Sequence, residues 1–342
     1  MTTGDARRIA TRSNLEERVR PSAKRNDYYK AHAKDVRRLV LPHRRAFKAV
    51  RCPACDLDNR DVHFVKKGFT FRKCSSCQTV YISPRPPRKI LDTFYQNAEC
   101  IRMFSALMKD VEKERTRLFF KPRVKRVLTE LRKHHSLTGK LLEIGCGIGT
   151  FLEIIRDATC YECYGLDPDA YALAVASGKG LTTFCSTVED FDPRGHQFDV
   201  VLNFETIEHV FSPLAFLEKI NVMLPPGGLL VFTTPNYQGF DVLMLGRHYK
   251  NVYGPNHLNY FNAGTIGRLL ERAGFETVSV QTPGILDVSI ARNQLTEVPR
   301  FNNNGFINHL LFEAPDEVRD AFQKFLQENR LSSNMFVIAR KV

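Results

Sequence analysis

The stretch LLEIGCGIGTFL, residues 141–152, decides the fold. Leu141, Leu142 and Ile144 make a short buried strand, and FLEIIRDA from Phe151 opens a helix. Gly145, Gly147 and Gly149 lie between them, where glycine lets the chain turn tightly and lets a ligand approach the backbone. The spacing is G-x-G-x-G, and Thr150 stands where a dinucleotide fingerprint has its third glycine. Glu143, two positions before the first glycine, is a strand-end carboxylate that can receive an ammonium group. Asp167 ends the next strand in YGLDPD, where a carboxylate can take two ribose hydroxyls. This set suits a nucleoside bearing an amino-acid tail better than a pyrophosphate.

Outward from this loop the chain alternates strand and helix. CYECYGLD, LTTFC, FDVVLNF and GLLVFTTP read as strands, separated by PDAYALAVASG and SPLAFLEKINVML as helices. AGTIGRLLERAGF is a helix leading to ETVSVQ, and MFVIARK is the last strand. Alternation of this kind predicts an α/β fold with a doubly wound, mostly parallel seven-stranded sheet. Residues 284–332 interrupt the alternation: FNNNGF is loop-like, and a helix starts near Pro315. Residues 90–134 read as helices broken at Pro122. The expected division is a basic arm at 1–51, a cysteine module at 52–87, a helical cap at 88–138 and a main domain at 139–342 with an insert at 284–332.

Cys52-Pro-Ala-Cys55 and Cys74-Ser-Ser-Cys77 are two C-x-x-C pairs eighteen residues apart. Each pair can point two thiolates at one metal from a tight turn, and two such turns complete a tetrahedral Cys₄ site. Thiolate softness favours structural Zn²⁺ and leaves no open position for catalysis. So short a segment gains its stability from the metal. Cys160 and Cys163 form a third C-x-x-C, but in a strand they alternate faces and are not a ligand pair.

The chain has 342 residues, 43% hydrophobic and 25% charged, which excludes global disorder. No apolar run is long enough for a transmembrane helix, and the N-terminus lacks the apolar core of a secretory signal. A cytoplasmic protein is expected, with no membrane partner. The net charge of +13 is uneven: residues 1–51 hold 15 Lys+Arg against 5 Asp+Glu, so the body is close to neutral. The arm reads as a solvated tail or a contact for phosphates, with Tyr28, Tyr29, Val36, Leu39 and Val40 as positions for a docked helix.

Glu143, Gly145, Gly147 and Gly149, Asp167, TVEDF at 187–191, FDVVLNFETIEHV at 198–210 and LPPGGLLVFTTPN at 224–236 together carry a family resemblance. The chain resembles class I S-adenosylmethionine-dependent methyltransferases, and is most similar to ubiquinone-biosynthesis O-methyltransferases. The resemblance implies that S-adenosyl-L-methionine is held by Glu143, Gly145, Cys146, Gly147, Gly149, Asp167, Pro168 and Asn203, with Val188 and Glu189 at its adenine. It also implies a final antiparallel strand, supplied by MFVIARK.

Methyl transfer needs an acceptor atom held in line and, for a hydroxyl, a base or a metal. Glu205, Glu208 and His209 follow the fourth strand. In the resembling enzymes this E-x-x-E-H pattern holds Mg²⁺; His209 as general base and a helix-capping role are the alternatives. His257 in YGPNHLNYF, Asn236, Tyr253 and Tyr260 are further candidates near an acceptor. Arg115 and Arg117 could meet an acidic group or form a solvated face. The insert and the 90–134 helices would shape the acceptor pocket as a lid. The expected acceptor is a small molecule such as a sugar or other biosynthetic intermediate. An RNA methyltransferase gripping RNA with the ribbon and arm is the alternative, and a non-enzymatic scaffold a third. The sequence leaves the oligomeric state open.

Overall fold

The computed structural model describes residues 15–59, 61–134, 137–297 and 304–342. The chain forms two compact units. The first takes residues 1–111, 235–263 and 281–335; the second takes 112–234, 264–280 and 336–342. This division cuts across the four segments expected from the sequence.

In the first unit, α1 (Leu15–Val19) and α2 (Ser22–Asp35) continue through a π turn at Val36–Val40. Val19, Tyr28, Val36 and Val40 are buried, so residues 15–40 are packed structure rather than a solvated tail. Buried charges on these helices are met within the unit. Glu16 accepts from Arg25 and from Asn293, and Asp35 accepts from the backbone N–H of Cys100 at 2.8 Å. The earliest part of the arm lies outside the described residues.

The cysteine segment forms β1 (Val62–Lys66), β2 (Phe69–Lys73) and β3 (Val80–Ile82), paired antiparallel in that order. The fourth strand of this sheet is β9 (Asn259–Tyr260), with Val80 opposite Tyr260 and Tyr81 opposite Asn259. YGPNHLNYF is therefore in part a strand of the ribbon's own sheet. Arg85, fully buried, holds the junction by donating to the Ile82 carbonyl and to Asn259 Oδ1. The helices α3 (Arg88–Asn97) and α4 (Glu99–Asp110) follow. The insert contributes α11 (Asp287–Glu297) and α12 (Asp316–Glu328), the latter starting after Pro315 as expected. The first half of FNNNGF lies outside the described residues.

In the second unit the helix before the sheet is α5 (Lys121–His134), reached through a π turn at Thr116–Phe120. Pro122 does not break it: the chain is helical without interruption from Glu112 to His134, and the proline follows directly on the π turn, where the regular ladder is already shifted. The sheet is built on β4 (Thr138–Ile144), flanked by β5 (Cys160–Asp167) and β7 (Val200–Phe204). Beyond them lie β6 (Thr182–Cys185) and β8 (Leu229–Pro235), and these four pairings are parallel. β11 (Asn334–Lys341) and β10 (Phe275–Gln281) complete seven strands in the order β10-β11-β8-β7-β4-β5-β6. Strands buried on both faces explain the unbroken apolar runs of β7 and β8. The core packs Leu141, Leu202 and Val231 with Phe336 and Ile338 of β11 and with Leu152 and Ile155 of α6 (Thr150–Ala158).

Candidate active site

The order of the sheet reverses beside β4: the chain runs out through β5 and β6, then returns to β7 on the other side. In open α/β sheets ligands bind beyond the strand ends at such a reversal. Register places Ile144 opposite Asn203 and Glu143 opposite Leu202 there. The loop from β4 to α6 turns through Gly145, Gly147 and Gly149, all at positive φ (75°, 51° and 74°). Gly149 also has no room for a side chain: a Cβ there would meet Leu181 Cδ1 at 2.5 Å. Gly147 is the opposite case, with open space where its Cβ would be. The loop is tied down by its own amides, Gly145 N–H donating to the Leu166 carbonyl and Gly147 N–H to Asp167 Oδ2.

Two buried acceptors face this reversal without protein partners. Glu143 is 4% exposed and its Oε2 is unpaired; Asn203 is 1% exposed and donates to the Ile144 carbonyl, leaving its Oδ1 unpaired. Burial pushes Glu143 up to about 8, opposed by the Arg123 guanidinium and reinforced by Asp167. Unmet buried acceptors at this depth fit a cationic donor, and an ammonium group satisfies both. Asp167 takes the Gly147 and Asp169 amides on its two oxygens, and burial holds it above the usual carboxylate range.

Arg123 on α5 is the residue that sequence reasoning missed. Its guanidinium carbon lies 4.9 Å from the Phe204 ring centroid, and its charge faces Glu205 and Glu143. It is the one of several basic residues of α5 that the fold turns toward the glycine loop's carboxylate. Nothing local in the sequence sets it apart from Arg126 or Arg132.

The other expected cofactor residues spread along the same strand ends. Cys146 turns its buried thiol toward Gly165, which has room for no side chain there. Pro168 is exposed just past Asp167, ahead of α7 (Ala170–Gly178), which Asp169 caps by accepting from the amides of Tyr171 and Ala172. Val188 is buried and Glu189 exposed in a turn closed by Thr187 and Asp190.

After β7 the backbone is strained: Glu205 has φ 54°, a conformation non-glycine residues seldom take. Thr233 donates to Glu205 Oε1 at 2.7 Å and Thr234 to Glu208 Oε2 at 3.0 Å, so consecutive residues of β8 orient the two carboxylates. Glu208 is 1% exposed, and burial with the nearby Glu205 charge raises it well above the ordinary range. His209 Nε2 lies 3.8 Å from Glu208 Oε1.

His257 belongs to the first unit, where its ring stacks on Tyr253 at 5.7 Å. Tyr253 and Tyr260 are buried aromatics of the same unit: the Tyr260 hydroxyl accepts from the Tyr253 backbone N–H and donates to its carbonyl, and the Tyr253 and Tyr28 hydroxyls meet at 2.9 Å. Asn236 is a structural residue: fully buried, it donates to the carbonyls of Arg330 and Ser332. Arg117 pairs with Glu114 on an exposed face.

The cysteines form two matching turns. Asp56 N–H donates to the Cys52 carbonyl and Gln78 N–H to the Cys74 carbonyl, both at 2.9 Å. Asp56 and Gln78, each four residues past the first cysteine, take φ 61° and 64°. All four sulfurs lie within 4.8 Å of one another, and the Cys52–Cys77 and Cys55–Cys74 pairs are 3.5 Å apart. A tetrahedral zinc with bonds of about 2.3 Å holds its sulfurs roughly 3.8 Å apart, so the four fit it. Cys160 lies at the exposed start of β5, apart from this cluster.

Residues 112–280 match the family described as a methyltransferase domain. The ubiquinone biosynthesis O-methyltransferase of Bradyrhizobium sp. strain ORS 278 is 36% identical over 118 residues, 32% of this chain and 46% of that protein. Its counterpart in Rhodopseudomonas palustris strain HaA2 is 35% identical over 157 residues, 43% of this chain and 61% of that protein. The chain spans about half the length of the curated relatives it matches. A solved S-adenosylmethionine-dependent methyltransferase from Clostridium acetobutylicum covers 71% of this chain and 99% of its own, with 11% identity and a TM-score of 0.46. Through residues 112–280 the chain carries a methyltransferase domain.

Proposed function

We propose that this protein transfers the methyl group of S-adenosyl-L-methionine to a small-molecule acceptor, with oxygen as the attacking atom. The observation that carries the reading is the pair of unmet acceptors, Glu143 Oε2 and Asn203 Oδ1, beside a turn of three positive-φ glycines and the Asp167 carboxylate. When bound, the donor supplies a sulfonium-activated methyl group. Glu143 and Asn203 would hold its ammonium, Arg123 its carboxylate, and Asp167 its ribose hydroxyls. Val188 and Glu189 would lie at the adenine, with Cys146 and Pro168 contributing backbone around the loop and strand end.

His209 would take the acceptor's proton on its imidazole, which lies beside Glu208 with Nε2 3.8 Å from Oε1. Glu205, Glu208 and His209 also offer the donor set of a divalent cation such as Mg²⁺. His257 is a further candidate for acceptor contact. Cys52, Cys55, Cys74 and Cys77 would hold a structural Zn²⁺ that fixes the ribbon sheet.

The test is transfer of radiolabelled methyl from the donor into small-molecule pools and, separately, total RNA, with and without EDTA. Label in the small-molecule fraction, lost on His209→Gln, supports the reading. Label in RNA alone overturns the acceptor class. An EDTA-sensitive rate assigns the acidic cluster to a metal. Failure of the donor to bind by calorimetry overturns the whole assignment.

A further inference from the structure

The first unit contains a cavity of about 240 Å³ lined by His32, Ala33, Val36, Arg37, Leu41, Lys67 and Gly254. Its wall is largely apolar, with Val36 and Leu41 from the N-terminal helices and the backbone of Gly254 behind them. Its two charges, Arg37 and Lys67, are exposed and both positive. Among the described residues, no acidic side chain lines it.

Two independent features mark this as more than a packing gap. The first is Lys67 itself. Lys66 and Phe69 pair across a two-residue hairpin turn, and both turn residues have positive φ: 48° at Lys67 and 87° at Gly68. Such a turn ordinarily takes Asn-Gly or Asp-Gly. A lysine there breaks the local rule and holds its backbone under strain. The turn is also pressed onto the cavity wall, since a Cβ on Gly68 would meet Leu41 Cδ2 at 2.9 Å. The lysine's ammonium is disfavoured by partial burial and by Lys250 nearby, a field that an anion would relieve. The second feature is His32. It is 1% exposed; its Nε2 donates to Asn256 Oδ1 at 2.7 Å, and its Nδ1 has no partner. Burial lowers His32 to about 4, so the ring is neutral and Nδ1 is a lone-pair acceptor.

We propose that this cavity binds a small organic acid. Its apolar body lies against Val36 and Leu41, its anionic group meets Lys67 and Arg37, and a hydroxyl or N–H donor satisfies His32. The site lies wholly within the first unit and does not depend on methyl transfer.

The test is calorimetric titration of the full chain with benzoate and with phenyl phosphate, using benzyl alcohol as the neutral control. Binding of at least one anion with a dissociation constant of ~0.1–1 mM is expected, given so few ligand atoms. The two probes separate a carboxylate from a phosphate preference. Lys67→Asn is the informative variant, because asparagine is favoured at this φ. It should fold with an unchanged or higher melting temperature yet lose about tenfold or more in affinity. Arg37→Gln, on an exposed helical position, should weaken binding similarly and provides the same readout independently of the turn. Both variants should bind S-adenosylmethionine like the parent. The proposal is overturned if neither anion binds at ~10 mM, if benzyl alcohol binds as well as benzoate, or if both variants bind the anions unchanged.

Discussion

In the proposed donor site, Glu143 would concentrate the chemistry in one carboxyl. Burial raises it from 4.5 to about 8, because ionising it at the base of the glycine turn leaves a charge without water. An ammonium group placed on Oε2 reverses that balance. Binding at neutral pH should therefore release close to one proton, and affinity for S-adenosylmethionine should rise about tenfold per pH unit from pH 6 to 8. Calorimetry in buffers of different ionisation enthalpy measures that release, and Glu143→Gln should abolish it while weakening binding. Stability without ligand carries the opposite signature. Below pH 4.5 both folded and unfolded chains hold the proton. Between 4.5 and 8 the unfolded chain ionises first, so stability falls as pH rises, and the loss levels off above 8. Glu143→Gln should flatten this slope and be about 2–4 kcal/mol more stable than the parent at pH 8. Denaturant melts across that range check it; identical slopes for parent and variant would refute the assignment. The placement of Glu143, Asp167 and the three glycines was legible because each is marked by its own position in a strand–turn–helix sequence. Arg123 was not, since the approach of its guanidinium to Phe204 and Glu143 is a tertiary contact that helical periodicity does not encode.

Among the elements, the ribbon shows which parts of a motif the spacing carries. Two C-x-x-C pairs were enough to expect one four-sulfur cluster, and the sulfurs do converge. The two turns were expected, but the left-handed residues that close them were not legible, because Asp56 and Gln78 adopt positive φ without being glycine. The sheet's last strand was hidden as well: Asn259 and Tyr260 pair with β3 from more than 170 residues away. Cys52 and Cys77 share the burden of charge unequally, the bond from Cys52 lowering Cys77 to about 4 while burial and the same bond hold Cys52 high. A cation at the centre of the four sulfurs would remove that asymmetry. Chelation should therefore release one zinc per chain, read by a chromogenic indicator after thiol modification. Cys74→Ser should bind no zinc and lose β1–β3 first, seen as early protease cleavage between residues 52 and 87. Full retention of ribbon protection without metal would show that Arg85 and the β3–β9 pairing suffice to hold the sheet.

At the scale of the whole molecule, sequence order and spatial partition diverge. The parallel sheet was legible as a run of strands and helices, because each neighbour in that run packs locally. The first unit was not, because it gathers the N-terminal helices, the ribbon, the segment after β8 and the insert from three stretches of chain. Its cohesion rests on long-range polar contacts: Glu16 with Asn293, Tyr28 with Tyr253, His32 with Asn256, and Lys66 Nζ with the Tyr249 carbonyl. The basic composition of residues 1–51 points toward a soluble tail, whereas burial of Val19, Tyr28, Val36 and Val40 makes residues 15–40 part of a core. Removing residues 1–46 would expose that apolar surface and strand the hydroxyl of buried Tyr253. Each lost buried apolar side chain is worth about 1.5–3 kcal/mol, and together they are comparable to the usual stability of a unit this size. The truncated chain should be insoluble, or soluble with residues 235–263 and 281–335 cleaved rapidly by protease. The sheet of the second unit, which keeps its own core, should resist. If the truncated protein instead melts as the full chain does, with unchanged protease protection at those segments, the N-terminal helices are an appendage and the first unit is held together by the ribbon and insert alone.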